Sequence, residues 1–295
     1  MIRVVMLGRL GNNLFQYALG RVLAEKHGVP LVMDASWFNP AGWNEVKCLR
    51  ELPGPAAGRV AVVRRASLAA RALLKLSGRH YWEFRGVPVL REPERDQSFD
   101  PRFLAAPADC MLFGYFQSPR YFAGMEDRLR VELAPPEPVR AGLRAELADS
   151  LRAPGGVAVH VRRGDYAGNP SLDLCGPGYY RAAMARLRDS LDRPRFHLFS
   201  DDPAWCAARL AAADVTIVPY EPARSPLDDL QLMSLASHHV IANSSYSWWA
   251  AWLGKKPGQR VLMPSEWFRG VESPVSEKQC DGWETLAPGS AETSS

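Results

Sequence analysis

Two hydrophobic periods alternate within the first few dozen residues, and this constrains the fold more than any other feature. Ile2 to Leu7 is a short apolar run rich in β-branched residues, closed by Gly8. Leu14 to His27 carries the longer period of a helix and stops at Gly28. Pro30 then leads into a second apolar run, Leu31-Val32-Met33-Asp34. Two strands joined by a helical crossover lie parallel, and a parallel sheet needs helices to cover its faces. The expectation is therefore an open α/β sheet.

The loop inside this unit, Gly8-Arg9-Leu10-Gly11-Asn12-Asn13, has G-x-x-G spacing and is not a dinucleotide fingerprint. Its glycines let backbone N–H groups at a helix start approach a ligand closely. Asn12 and Asn13 read either as helix caps or as ligand contacts, and the two roles are compatible. Trp37 to Pro55 reads as an irregular loop. Val60 to Arg79 can be drawn as a helix with Arg64, Arg71, Lys75 and Arg79 on one side, a pattern suited to a weak peripheral contact with an anionic membrane; a solvated charged face over a core is the plainer reading. Met111 to Ser118 returns to strand character, its aromatics better suited to core packing than to stacking on a sugar.

Leu133-Ala134-Pro135-Pro136-Glu137-Pro138 is the strongest linker signal, and Ala153-Pro154-Gly155-Gly156 breaks the chain again. Residues 1–134 form an amino-terminal domain, 135–156 a linker and connecting helix, 157–272 a second α/β domain and 273–295 a polar tail. Alternation in the second domain is clean: strand signals at Val157–Val161, Phe196–Ser200, Val215–Val218, His239–Ala242 and Arg260–Met263 are separated by helical patterns. Two doubly wound halves joined by a Pro-rich linker predict a central cleft, a common place for a ligand.

Three polar loops fall where second-half strands end, the place at which open α/β sheets bind ligands. The first carries His160, Arg162, Arg163 and Asp165, a set suited to a multiply charged anion, with a surface salt-bridge cluster as the plainer reading. The second carries Asp201 and Asp202, which can accept from the N–H groups of a guanine base or cap the helix that opens at Pro203. The third, Asn243-Ser244-Ser245-Tyr246-Ser247, precedes a helix, and hydroxyls beside a helix start make a phosphate site that needs no metal. Closely spaced D-x-D carboxylates of the kind that hold a nucleotide through a divalent ion are missing, so arginines and a helix end would neutralise a diphosphate.

Composition narrows the partners. The chain has 295 residues, 47% hydrophobic and 23% charged, enough for an ordinary globular core. A net charge of +4 suits an anionic small ligand and is too diffuse for nucleic acid. The five cysteines, Cys48, Cys110, Cys175, Cys206 and Cys280, show neither a disulfide framework nor zinc spacing, as expected of a reducing cytoplasm. No apolar run approaches the roughly 20 residues of a membrane span.

These stretches together resemble glycosyltransferase family 11, the α1,2-fucosyltransferases. The resemblance rests on Gly8 to Ala18, Gly114-Tyr115-Phe116-Gln117-Ser118, His160 to Tyr166, Phe199-Ser200-Asp201-Asp202, Leu232-Met233-Ser234 and Ile241 to Leu253, in that order. It implies a GT-B-like architecture of two Rossmann-like domains and GDP-β-L-fucose as donor substrate. It implies inverting transfer of fucose to the 2-hydroxyl of a galactoside, with no metal and no cofactor. Arg162 would hold the β-phosphate; Arg163, Asp201, Asp202 and Asn243 to Ser247 would line the donor site; Gly11, Asn12, Asn13 and Gln16 would face the acceptor or the transferred sugar. His160 and Asp165 are the candidate bases. Arg9 and Asn13 stand where the family often has Gly and Gln. The missing amino-terminal anchor of Golgi members fits a bacterial, cytoplasmic enzyme. Two rivals are a fucosyltransferase of another linkage, or a related enzyme with a different nucleotide sugar, and an adhesion protein displaying Arg163-Gly164-Asp165 as an R-G-D tripeptide.

Overall fold

In a computed structural model of the chain, the residues described are 1–35, 43–54, 60–63, 86–93, 97–134, 143–221, 225–270 and 274–289. The chain divides into two compact units, Met1–Pro136 and Glu137–Ser295.

In the first unit the strands β1 (Ile2–Val5), β2 (Leu31–Asp34), β3 (Val60–Val63), β4 (Val89–Arg91) and β5 (Cys110–Phe113) form one sheet in the order β3-β2-β1-β5-β4. Every pairing is parallel. The strands β1 and β2 are buried along their whole length, which is why they read as continuous apolar runs. The helix α1 (Leu10–His27) crosses from β1 to β2 and ends at Gly28, whose φ of 63° closes it with a left-handed turn. Gly20 lets α1 lie close on the sheet: a Cβ there would sit 2.7 Å from Leu31 and 2.8 Å from Val4. The helices α2 (Trp43–Glu51) and α3 (Glu126–Leu133) complete the described part of this unit.

The second unit opens with α4 (Leu143–Arg152). Its strands β6 (Gly156–Val161), β7 (Arg195–Ser200), β8 (Val215–Ile217), β9 (His238–Val240), β10 (Val261–Pro264) and β11 (Glu284–Leu286) take the order β11-β10-β9-β6-β7-β8, again all parallel. Between them run α5 (Pro177–Arg188), α6 (Pro203–Leu210), α7 (Pro226–Leu235) and α8 (Ser245–Leu253). Tyr179, Tyr180, Ala183, Met184 and Leu187 of α5 pack on Val157, Val159, Val161, Phe196 and Leu198 of the central strands.

Both units are thus Rossmann-like doubly wound α/β sheets, and two of them in one chain is the make-up of a GT-B-like architecture. In each, the chain leaves a central strand in one direction, then returns to build on its other side. The reversal falls between β1 and β5 in the first unit and between β6 and β9 in the second. Such switch points leave a crevice at the carboxyl ends of the strands, where ligands bind.

Four expectations are corrected. The stretch from Trp37, read as a loop, contains α2. Val60–Val63, read as the start of a basic helix, pairs with β2 as β3, and residues 64–85 lie outside the described residues. The connecting helix α4 belongs to the second unit. The stretch read as a polar tail supplies β11, and Trp283 packs 5.5 Å from the Trp248 ring, so its described residues, 274–289, are built into the second unit.

Candidate functional site

The motif stretches singled out in the sequence fall at or beside the two switch points, except Leu232-Met233-Ser234, which lies within α7. At the first, α1 begins at Leu10, four residues earlier than its apolar period indicates, so Gly11, Asn12 and Asn13 lie in its first turn. Arg9 is the residue before the helix, and no side chain caps it; Asn12 and Asn13 are not caps.

Asn13 and Gln16 are fully buried. The Asn13 amide donates to the Leu7 carbonyl (2.9 Å) and to Gln16 Oε1 (3.0 Å). Gln16 Oε1 also accepts from the Leu7 N–H (3.1 Å), while its amide donates to the Gly114 carbonyl (2.9 Å). This ties the end of β1, the first turn of α1 and the end of β5 together with neutral groups alone. Asn13 and Gln16 therefore hold the loops rather than touch a ligand, which corrects their expected role. Gly11 is buried too. Asn12 is the half-buried member of the set, and its side-chain oxygen accepts from Gln117 Nε2 at 2.8 Å.

At the second switch point the loop after β6 is built from charge. Arg162 donates from Nη1 to Asp201 (2.6 Å) and from Nη2 to Asp165 (2.5 Å). Asp201 also accepts from the backbone N–H groups of Arg163 (2.9 Å) and Gly164 (3.1 Å). A Cβ on Gly164 would lie 2.5 Å from an Asp201 oxygen, so the loop closes on Asp201 only with glycine there. Burial opposes the charge on Asp201, but Arg162 and the two N–H groups outweigh it and hold the carboxyl below its usual range. Arg163 reaches Asp173 at 3.4 Å and lies 4.7 Å over the Trp205 ring. Arg163 is thus tied into the fold, while Gly164 and Asp165 beside it are exposed.

The β6 loop is joined to the start of α8. The Tyr166 hydroxyl donates to the Asn243 carbonyl at 3.3 Å, and the His160 and Tyr246 rings lie 5.6 Å apart. The helix begins at Ser245, earlier than its apolar run indicates, and its first intrahelical bond runs from Trp248 N to Ser244 O at 3.0 Å. The amides of Ser245, Tyr246 and Ser247 thus lie at the positive end of the helix dipole.

Several expected donor contacts are committed inside the fold. The Asn243 amide donates to the Leu172 (3.0 Å) and Trp267 (3.1 Å) carbonyls, and its oxygen accepts from Cys175 Sγ (3.6 Å). Ser247 is buried and its hydroxyl donates to the Ser244 carbonyl. Ser244 is also buried; the Tyr246 hydroxyl donates to the Pro226 carbonyl. Ser245 and the flank of Tyr246 remain at the surface. Asp202 accepts from Trp205 N at 3.0 Å and caps α6, as its place before Pro203 predicts.

His160 is buried at the end of β6. Desolvation first, then the Arg162 guanidinium, push its pKa down to about 3, so it is neutral and a very weak base. Asp165 spends its carboxylate on Arg162. Among the described residues, no three His, Cys, Asp or Glu side chains could together hold a metal ion, and no helix is long and apolar enough to cross a membrane.

Sequence reasoning missed three contributors. Glu92, Asp173 and Trp205 fix the two switch-point loops, and none carries a local motif; Asp173 and Trp205 are recognisable only once Arg163 is placed.

Known proteins share this chain's sequence in part. It is 34% identical over 170 residues to an alpha-1,2-colitosyltransferase of Escherichia coli, a match covering 55% of this chain and 57% of that one. It is 33% identical over 123 residues to the galactoside 2-alpha-L-fucosyltransferase Sec1 of Mus musculus, covering 40% of this chain and 33% of that one. The matched stretches therefore span about half or less of these relatives. Among solved structures, the fucosyltransferase NodZ from Bradyrhizobium aligns over 85% of this chain and 91% of its own, with 16% identity and a TM-score of 0.48. The glycosyl transferase family 11 model matches residues 95–270, which take in the charged β6 loop, the Asp201 loop and the start of α8. That is more than half of the chain, and the protein belongs to glycosyltransferase family 11.

Proposed function

We propose that the protein transfers L-fucose from GDP-β-L-fucose to the 2-hydroxyl of a terminal galactoside, with inversion at the anomeric carbon and without a metal ion. The observation that supports this reading is the double carboxylate clamp on Arg162, in a loop joined to the first turn of α8. One clamp is fixed, because Asp201 also holds two backbone N–H groups. The other is exchangeable: Asp165 is 45% exposed, against 15% for Asp201. A β-phosphate takes the place of Asp165 on Arg162 Nη2, and the amides at the start of α8 add positive potential.

The acceptor oxygen attacks the anomeric carbon in line as its bond to the β-phosphate breaks. Charge grows on the leaving GDP, and Arg162 meets it without reorganisation. The acceptor proton leaves late, to the departing β-phosphate or to water, because His160 is neutral and a very weak base and Asp165 is engaged with Arg162; relief of leaving-group charge is the main catalytic term. Asp202, at the end of β7, takes the guanine edge with the oxygen that does not cap α6. The first unit takes the acceptor, at a switch point edged by the Asn12 amide and the Tyr115 ring. The enzyme works in a reducing cytoplasm on a surface glycan or oligosaccharide, and none of its five cysteines forms a disulfide.

The test is incubation with GDP-fucose, EDTA and a panel of galactosides, with the product linkage assigned by NMR. A 1,2-linked product formed in EDTA is expected. A product formed only after a divalent ion is restored would refute metal independence, and another linkage would refute the regiochemistry.

A second reading is carried by the E. coli relative: the donor is nucleotide-activated colitose, which is fucose lacking one hydroxyl. A site built to hydrogen-bond that hydroxyl rejects the deoxy sugar by a factor of about 10⁴ or more. Direct competition between the two donors decides, and preference for the deoxy sugar would replace the first reading.

A further inference from the structure

Glu92 follows β4 and precedes the residues matched by the family model. It is buried, yet it spends its carboxylate on the neighbouring loop. It accepts from the Tyr115 N–H at 2.7 Å and from the Phe116 N–H at 3.1 Å. Two successive backbone N–H groups converging on one carboxylate form an anion nest. The nest exists because Phe116 has a φ of 53°, a left-handed conformation rare for a large side chain. Packing enforces that conformation: the Phe116 ring is fully buried, 5.0 Å from Phe103 and 6.0 Å from Tyr121. Gly114 is required as well, since a Cβ there would lie 2.5 Å from Glu92 Cβ.

The held turn has a consequence one residue later. Gln117 leaves it aimed at Asn12, and its amide donates to the Asn12 oxygen at 2.8 Å. Asn12 and Tyr115 are half-buried, while Gly11, Asn13, Gln16 and Phe116 are buried. An amide and an aromatic ring at the edge of a crevice are what a neutral sugar requires.

We propose that Glu92 is a positioning residue of the acceptor subsite: it clamps the turn at Tyr115 and Phe116, and through Gln117 sets the side chain of Asn12 that meets the glycan. This rests on the reading that the first unit takes the acceptor. Glu92→Gln is nearly isosteric but neutral, and it turns a donor toward a turn that offers only donors.

Two measurements test it. Hydrogen exchange is expected to speed up at residues 115–117 and in the first turn of α1, with Cys110–Phe113 unchanged; unchanged exchange at 115–117 would overturn the clamp. In kinetics with GDP-fucose and lactose, Glu92→Gln should raise the lactose KM about tenfold, the loss of roughly one hydrogen bond to the sugar. Slow hydrolysis of GDP-fucose without acceptor should stay within about twofold of the parent. Asn12→Ala should match the KM effect, and the double variant should be no worse than either single one, as expected of residues acting in one chain. Transfer and hydrolysis falling in proportion would reduce Glu92 to a structural role and overturn the proposal. Failure of the parent to use GDP-fucose would instead strike the functional reading, and hydrogen exchange would still decide the clamp.

Discussion

The two units build the same topological position from opposite chemistry. At the β1/β5 switch point, Asn13 and Gln16 are 0% exposed and their network contains no charge. At the β6/β9 switch point, two guanidinium groups face three carboxylates, and Asp165 is 45% exposed. A neutral amide network that holds backbone groups of both loops, braced behind β5 by the buried Glu92, presents a fixed surface. A charged one that is half open to water can exchange one of its ions for a ligand's. The first arrangement fits a glycan, the second a diphosphate.

The largest effect should come from the charged side. Arg162→Ala is expected to lower fucosyl transfer by about 10²–10³, as for other preorganised groups that meet transition-state charge. Near-normal turnover by a folded variant would break the contrast between the two sites. On the neutral side, Gln16→Leu should destabilise the first unit. It strands the Leu7 N–H and the Gly114 carbonyl without their partner, at about 1–3 kcal/mol for each buried group left unsatisfied. Denaturant unfolding measures this. A stability change below about 0.5 kcal/mol would mean that the amide network is not what holds the two loops.

Most of the architecture was readable because strand and helix periods differ. The parallel sheets, the two units and the three polar loops follow from apolar runs, glycine stops and the polar residues after each strand. Where reading failed, the deciding partner lay far away in the chain. Gln16 looks like a ligand contact until Gly114, 98 residues on, appears beside it. Val60–Val63 is too short for its period to separate strand from helix, and only β2 decides. Glu284–Leu286 is polar and looks like tail, but the edge of the sheet recruits it. Helix starts were misplaced for a local reason: the first turns of α1 and α8 carry Asn, Gly and Ser, which read as loop although the backbone is already helical.

Acid should separate the units next. In the second unit, burial is the first cause lowering the pKa values of His160 to about 3, His197 to about 4 and His239 to about 3, from an ordinary 6.5. These side chains are neutral when folded and protonated when unfolded, so their contribution is complete above pH 6.5. It is lost as pH falls from 6.5 toward 4, at up to about 1.4 kcal/mol per pH unit for each histidine. Carboxylates such as Glu132 and Asp201 act only lower, near and below the ordinary carboxylate range. Trp248, Trp249, Trp252, Trp267 and Trp283 make tryptophan fluorescence a reporter weighted to the second unit. Its melting temperature should fall between pH 6.5 and 4.5. A flat profile there would show that these histidines are already reached by protons in the folded state.

The smallest effect is the most discriminating. If Asp165 is the exchangeable partner of Arg162, Asp165→Asn removes a carboxylate that competes with the incoming phosphate. GDP should then bind a few-fold tighter, a gain of under about 1 kcal/mol for a half-exposed ion pair. Stability should hardly change, because Asp201 keeps Arg162 in place. The gain should be smaller for GMP, which lacks the second phosphate, and should shrink as added salt screens the pair. Calorimetric titration of both nucleotides at two ionic strengths makes the comparison. Weaker GDP binding would mean that Asp165 holds Arg162 in its productive rotamer. Unchanged binding with a hundredfold loss of transfer would return Asp165 to the role of base. Either outcome would make the charged switch point as fixed as the neutral one, and exchangeability would no longer distinguish the two sites.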